Sequence, residues 1–296
     1  MRRDAFGELH PAVTFGFFMC AVIFSIIVQD PLWTGASLVA SALCLVSVRG
    51  RGAWRMVAAM AATFVAIAAV NALLNAHGST VLFIYLGGRP FTLEALLSGM
   101  QTAGMFASVM LWFGSYAQVV TTDRFTYLFG NAAPAVTLTL TMALRLVPTC
   151  LRRARRISAA RAGIGKSVSA GSARARAVSG LEVLNALTAR SLEGAIITAD
   201  SMRSRGYGSG ARTQMACVRF SGRDAAVTAA GAVLFAGAAF GITRGWASAQ
   251  FLPTVMLAPP SGASAVTLAA FAGFLLIPVI VNAKEGSPWR SSSSRI

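Results

Sequence analysis

Acidic residues are scarce in this sequence, with 10 Asp and Glu among 296 positions against 26 Lys and Arg. Charged residues of both signs make up only 12%, about half the share usual in a soluble domain. So little charge excludes a disordered chain and a water-soluble enzyme of ordinary surface. Cysteine is too sparse for a secreted disulfide scaffold. Cys20, Cys44, Cys150 and Cys217 show no metal-type spacing and read as small apolar side chains. The two histidines, His10 and His77, fall on opposite sides of the topology derived below, so they cannot share a metal. No Ser/His/Asp set and no paired carboxylates stand out. No catalytic residue, cofactor site or metal site is therefore expected.

Apolar residues are abundant, at 55% of the chain. Six stretches carry no charge: Pro11–Gln29, Pro31–Val48, Met56–Ala76, Ala95–Val120, Ala225–Thr243 and Ser261–Ala283. Each is close to or above the ~20 residues that cross a bilayer as a helix. Hydrocarbon cannot satisfy backbone N–H and C=O groups, so these runs must be helical. The first follows Arg2 and Arg3 but reads as a span and not as a signal peptide. Its core is long for one, and the chain re-enters the membrane at once. None of these six runs contains Asp or Glu, which disfavours a pump built on an intramembrane carboxylate.

Positive charge sets the orientation. With the N-terminus inside and six spans, both termini are cytoplasmic and only Arg89 and Arg244 fall in outer loops. The opposite topology would translocate the whole Arg-rich centre of the chain, against the positive-inside rule. The expectation is thus an all-α polytopic protein of the cell membrane in contact with the lipid bilayer. Residues 1–120 hold four spans, 121–222 a cytoplasmic basic region, 223–283 two spans, and 284–296 a disordered tail.

The basic region is the unusual part. Between Arg124 and Arg223 lie 16 Lys and Arg and three acids, Glu182, Glu193 and Asp200. Pro134–Gly163 reads as one helix striped by Leu140, Leu144, Val147, Leu151 and Ala154, with Pro148 expected to kink it. Arg152, Arg153, Arg155 and Arg156 crowd its second half, where cations suit the helix dipole. Gly163–Gly180 is rich in Gly and Ser and reads as a linker containing Arg174 and Arg176. A second helix is expected over Leu181–Arg205, striped by Leu181, Leu184, Thr188, Leu192, Ala195, Ala199 and Met202. Gly206 stands at the place of a left-handed cap.

Two short motifs deserve weighing. Ala160–Ser167, A-R-A-G-I-G-K-S, satisfies a relaxed phosphate-loop pattern, but a basic helix precedes it where such a loop needs a buried strand. Gly237-x-x-x-Gly241 is a candidate for close helix packing.

The centre of the chain resembles the transmembrane (T) component of energy-coupling factor transporters, the family of cobalt-type and biotin-type importer permeases. The resemblance rests first on Ala143-Leu-Arg-Leu-Val-Pro148 followed by Ala159-Ala-Arg-Ala-Gly163. More specific are Ser191-Leu-Glu, Ala199-Asp-Ser-Met-Arg-Ser-Arg-Gly-Tyr207 and Arg212-Thr213. Asn71-Ala-Leu-Leu-Asn75, Gly87-Gly88, and Thr121-Thr122 with Phe125 agree as well. The resemblance covers about residues 10–280. In the first triplet the third residue is Ala162, where the family often has Gly or Ser.

The resemblance implies an L of spans and long amphipathic coupling helices. Each Arg-centred triplet, Ala160-Arg161-Ala162 and Ser204-Arg205-Gly206, would dock into one of two ABC ATPase subunits. Movement would pass to a separate substrate-binding membrane (S) subunit that imports a vitamin or transition-metal ion, with ATP hydrolysis left to the partners. Two other classes compete. A membrane enzyme acting on phosphorylated lipid would need clustered Asp or His, and Asp123, Asp200 and Asp224 show no such spacing. A nucleic-acid binder would need stacking aromatics in Arg152–Arg176, and there are none; no nucleic-acid partner is expected.

Overall fold

The computed structural model describes residues 5–75, 80–85, 89–129, 134–165, 172–210, 220–247 and 261–292. The helices are α1 (Pro11–Ile27), α2 (Pro31–Arg49), α3 (Ala53–Leu74), α4 (Leu93–Val119), α5 (Thr122–Phe129), α6 (Pro134–Gly163), α7 (Ala173–Ser204), α8 (Gly222–Thr243) and α9 (Gly262–Ser292). Between α3 and α4 lies an antiparallel hairpin of β1 (Val81–Tyr85) and β2 (Arg89–Thr92), with Phe83 opposite Phe91 and Tyr85 opposite Arg89. The chain divides into two units, Met1–Phe125 with Val218–Ile296, and Thr126–Cys217.

The first unit is the apolar one. Helices α2, α3, α4, α8 and the stretch Gly262–Lys284 of α9 are each long and apolar enough to span a bilayer. Helix α1 is apolar but has 17 residues. At ~1.5 Å per residue it reaches about 26 Å, close to the ~30 Å of a hydrocarbon core. The chain is an all-α, multi-pass membrane protein.

Local chemistry explains where these helices begin. Pro11 and Pro31 each open a helix at the position where a missing N–H is harmless. The Asp30 carboxylate accepts from the Leu32 N–H at 2.9 Å, and the Thr92 hydroxyl accepts from the Ala95 N–H at 3.3 Å. Ser221 and Asp224 form a reciprocal capping box. Helices α4 and α8 thus start earlier than their uncharged runs do, and take in Glu94 and Asp224. Both acids are buried, yet both sit in a first turn, where a negative charge suits the dipole. Glu94 also accepts from the Thr80 hydroxyl at 2.8 Å, tying the approach to the hairpin onto α4. The backbone of α9 stays helical to Ser292, inside the stretch 284–296 expected to be a disordered tail.

Burial ranks the helices. In α2 and α4, 39% of the apolar window is buried in protein, against 11% in α3 and α8. Helices α2 and α4 are therefore central, while α3 and α8 have few fully buried residues. Phe17, Phe18, Phe24, Trp33, Trp112, Phe271 and Phe274 form one core cluster contributed by α1, α2, α4 and α9. Its rings meet mainly edge-on or tilted, as at Phe17–Trp112 (5.9 Å) and Trp33–Phe271 (5.0 Å). Inside this cluster Ser25 and Ser37 share a 2.8 Å hydrogen bond, and the Trp112 indole N–H donates to Ser37 at 3.3 Å. Small residues let the backbones approach. A Cβ added to Gly241 would lie 2.7 Å from Thr267, and one added to Gly237 would lie 3.2 Å from Ala270. The Gly237–Gly241 pair is a packing seam between α8 and α9. The N-terminal segment closes the unit: the Phe6 N–H donates to Asn282, and the His10 N–H to Asp224, each at 2.9 Å.

Candidate coupling-helix termini

The second unit is built around α6 and α7, and little in either helix is buried. Helix α6 runs unbroken to Gly163 and passes through Pro148. Helix α7 begins at Ala173, eight residues before the expected start at Leu181. The Ser172 hydroxyl caps it by accepting from the Ala175 N–H, and the alternating Ala and Arg that follow are strong helix formers. Arg174 and Arg176 accordingly lie in the first turns of α7 and not in a flexible linker. The Gly/Ser-rich composition between Gly163 and Gly180 is overridden wherever Ala and Arg supply helix propensity.

Polar side chains link the two helices among the described residues. The Arg161 Nη2 pairs with the Glu182 Oε2, the Cys150 sulfur lies 3.7 Å from the Ser191 hydroxyl, and the Arg153 guanidinium lies over Gly194. Their outer faces are uncovered within the unit. Leu144, Val147 and Leu151 on α6, and Leu181, Leu184 and Leu192 on α7, are all exposed. Ala195 and Ala199 continue the α7 stripe on the exposed side.

The ends of α6 and α7 are both stopped by a glycine in the left-handed region, Gly165 at φ +77° and Gly206 at φ +78°. At α7 the stop is a complete two-bond motif. The Gly206 N–H bonds the Arg203 carbonyl and the Tyr207 N–H bonds the Met202 carbonyl, both at 3.0 Å. At α6 the Gly165 N–H bonds the Ala162 carbonyl at 3.1 Å. The two triplets therefore stand at different registers. Ser204-Arg205-Gly206 straddles the cap, with Arg205 as the cap residue itself. Ala160-Arg161-Ala162 lies inside the last turn of its helix.

Their surroundings also differ. Ser204, Arg205 and Gly206 are all exposed, and the Ser204 hydroxyl bonds back to the Ser201 carbonyl. Ala160 and Ala162 are exposed too, but the Arg161 side chain is only 20% exposed and holds Glu182. This is the ion pair found among the described residues of the unit. Arg155, Arg156, Arg203 and Arg205 are exposed. The structure does not bring the two triplets together: Glu182, beside Arg161, is separated from Arg205 by about 35 Å of helix at ~1.5 Å per residue.

Glu182 is the residue that sequence reading missed. It is one acid among three in a basic region, and its partner lies 21 positions away across a helix–helix connection. No periodicity in the sequence marks such a pair. The phosphate-loop pattern finds no support, because its leading residues belong to α6 where a strand would be required. Lys166 and Ser167 of that pattern lie outside the described residues, as do Gly87-Gly88, His77, Arg212-Thr213 and Cys217. Comparison with protein-family models and with curated proteins returns no match to this chain.

Proposed function

We propose that this chain is the membrane coupling subunit of an energy-coupling factor type ABC importer. The observation that carries the reading is a pair of long helices that each stop at a left-handed glycine, with Arg205 the cap residue beside Gly206 and Arg161 in the last turn before Gly165. In this reading Arg205 and Arg161 each dock one of two ATPase subunits, and the uncovered apolar faces of α6 and α7 carry the substrate-binding subunit. A helix end flanked by Ser204 and Gly206 is narrow enough to enter a groove. An arginine there can meet a carboxylate with two parallel hydrogen bonds. Closure of the ATPases would move the helix ends, and the apolar faces would pass that motion to the substrate-binding subunit in the cell membrane. The cargo, a vitamin or a transition-metal ion, would be held by that subunit and not by this chain. About 35 Å between the two arginine positions fits two separate docking grooves better than one.

The test is affinity purification of the full chain from its native membrane, with transport measured in parallel. Two ATPases and a small membrane protein should co-purify. Arg205→Glu would leave a partner carboxylate buried and unpaired, at a cost of about 3–5 kcal/mol. ATPase recovery and uptake should then fall by about two orders of magnitude or more, since ~1.4 kcal/mol is tenfold. Normal assembly and uptake in Arg205→Glu would refute the reading.

A further inference from the structure

Arg161 is poorly served by the contact it makes. A guanidinium offers five N–H donors, and a carboxylate bonds it best across the Nε–Nη2 edge with both oxygens. Here Glu182 reaches only Nη2, through Oε2, while Nε is buried and has no hydrogen-bond partner. Glu182 itself is 51% exposed, so water competes for it. The guanidinium is thus drawn against α7 by a one-point pair that leaves half of its best recognition edge empty.

We propose that Glu182 is a built-in competitor for Arg161. It holds the guanidinium in the free chain and gives way to an ATPase carboxylate when the end of α6 docks. The proposal rests on the coupling-subunit reading above. Docking at α6 is then an exchange of carboxylates, from a one-point pair to a two-point pair that also satisfies Nε. Docking at α7 needs no exchange, because Arg205 makes no ion pair among the described residues. The two ends therefore differ: the α7 end is always ready, and the α6 end is gated by Glu182 of α7. Release of Glu182 also removes an ion pair that links α6 to α7. That couples arrival of the ATPase to movement between the helices.

The experiment titrates the full chain in lipid nanodiscs with its cognate pair of ABC ATPase subunits. An ion pair whose carboxylate is half in water is closed most of the time but held weakly, so removing the competitor in Glu182→Gln should tighten ATPase binding about two- to sixfold. Arg161→Glu should weaken it. The charge-reversed double variant Arg161→Glu/Glu182→Arg restores a pair between α6 and α7. It should keep the protease protection of α6 and α7 while losing the gain of Glu182→Gln and the α6 dock. Unchanged or weaker binding by Glu182→Gln, with Arg161→Glu still defective, would overturn the competitor role and leave the docking reading standing. Wild-type binding by the double variant would overturn it as well. Unchanged binding in both Arg161→Glu and Arg205→Glu would remove the docking reading and this proposal with it.

Discussion

Gly35 and Gly241 are both glycines inside apolar helices, and their surroundings separate them. A Cβ on Gly35 meets nothing within 4 Å, whereas one on Gly241 would sit 2.7 Å from Thr267 and 3.1 Å from the Trp33 ring. Gly241→Val should therefore push α8 from α9, destabilising the apolar unit by about 1–3 kcal/mol or more. Gly35→Ala should be neutral or stabilising by up to about 1 kcal/mol, because alanine is the better helix former. Thermal denaturation of the purified protein in detergent checks both. A normal midpoint for Gly241→Val would show that the seam can slide. Gly206 is constrained for another reason, its φ of +78°. There glycine is needed to turn the chain after Arg205, and the cap in turn fixes where that arginine is displayed.

At the scale of the element, α7 shows how composition and propensity compete. Arg174 and Arg176 lie within a turn of its N-terminus, where positive charge opposes the helix dipole. Reversal to Glu at either site should stabilise the start of α7 by about 0.3–1 kcal/mol. Neither position belongs to a triplet, so co-purification of ATPases should be unaffected. Hydrogen exchange over residues 173–180 reads the first effect. Loss of ATPase recovery in either variant would mean that the docking surface extends to the N-terminal end of α7. The hairpin of β1 and β2 has the opposite history. Leu82-Phe83-Ile84-Tyr85, Gly87-Gly88 and Pro90-Phe91-Thr92 carry apolar runs about a glycine pair, a hairpin signal. It is easily overlooked in a chain dominated by long helical runs.

For the whole molecule, the distribution of charge predicts the topology. Twenty-four of the 26 basic residues fall on one side if both termini are cytoplasmic, and moving the α6–α7 unit across the membrane would move most of them. Reporter fusions at Ser172 and after Ile296 should both report the cytoplasm. An external signal at Ser172 would contradict the coupling role, because the ATPases bind nucleotide inside the cell. The exposed faces of α3 and α8 further predict lipid contact, which photolabelling from the bilayer would detect at Val65, Val70 and Val233.

Amphipathy, charge and helix stops act locally, so the sequence alone determined the apolar runs, the course of α6 and the place of the Gly206 cap. Each of these depends on residues within a few turns of one another: uncharged runs, a stripe at helical spacing, a glycine after an arginine. Tertiary structure decided what depends on distant residues. Pairing of Arg161 with Glu182, the fit of Gly241 against Thr267, and the bond from His10 to Asp224 across 214 positions arise only when helices are packed. A helix end in water is specified by its own sequence. What its arginine holds is settled by the neighbour that reaches it first.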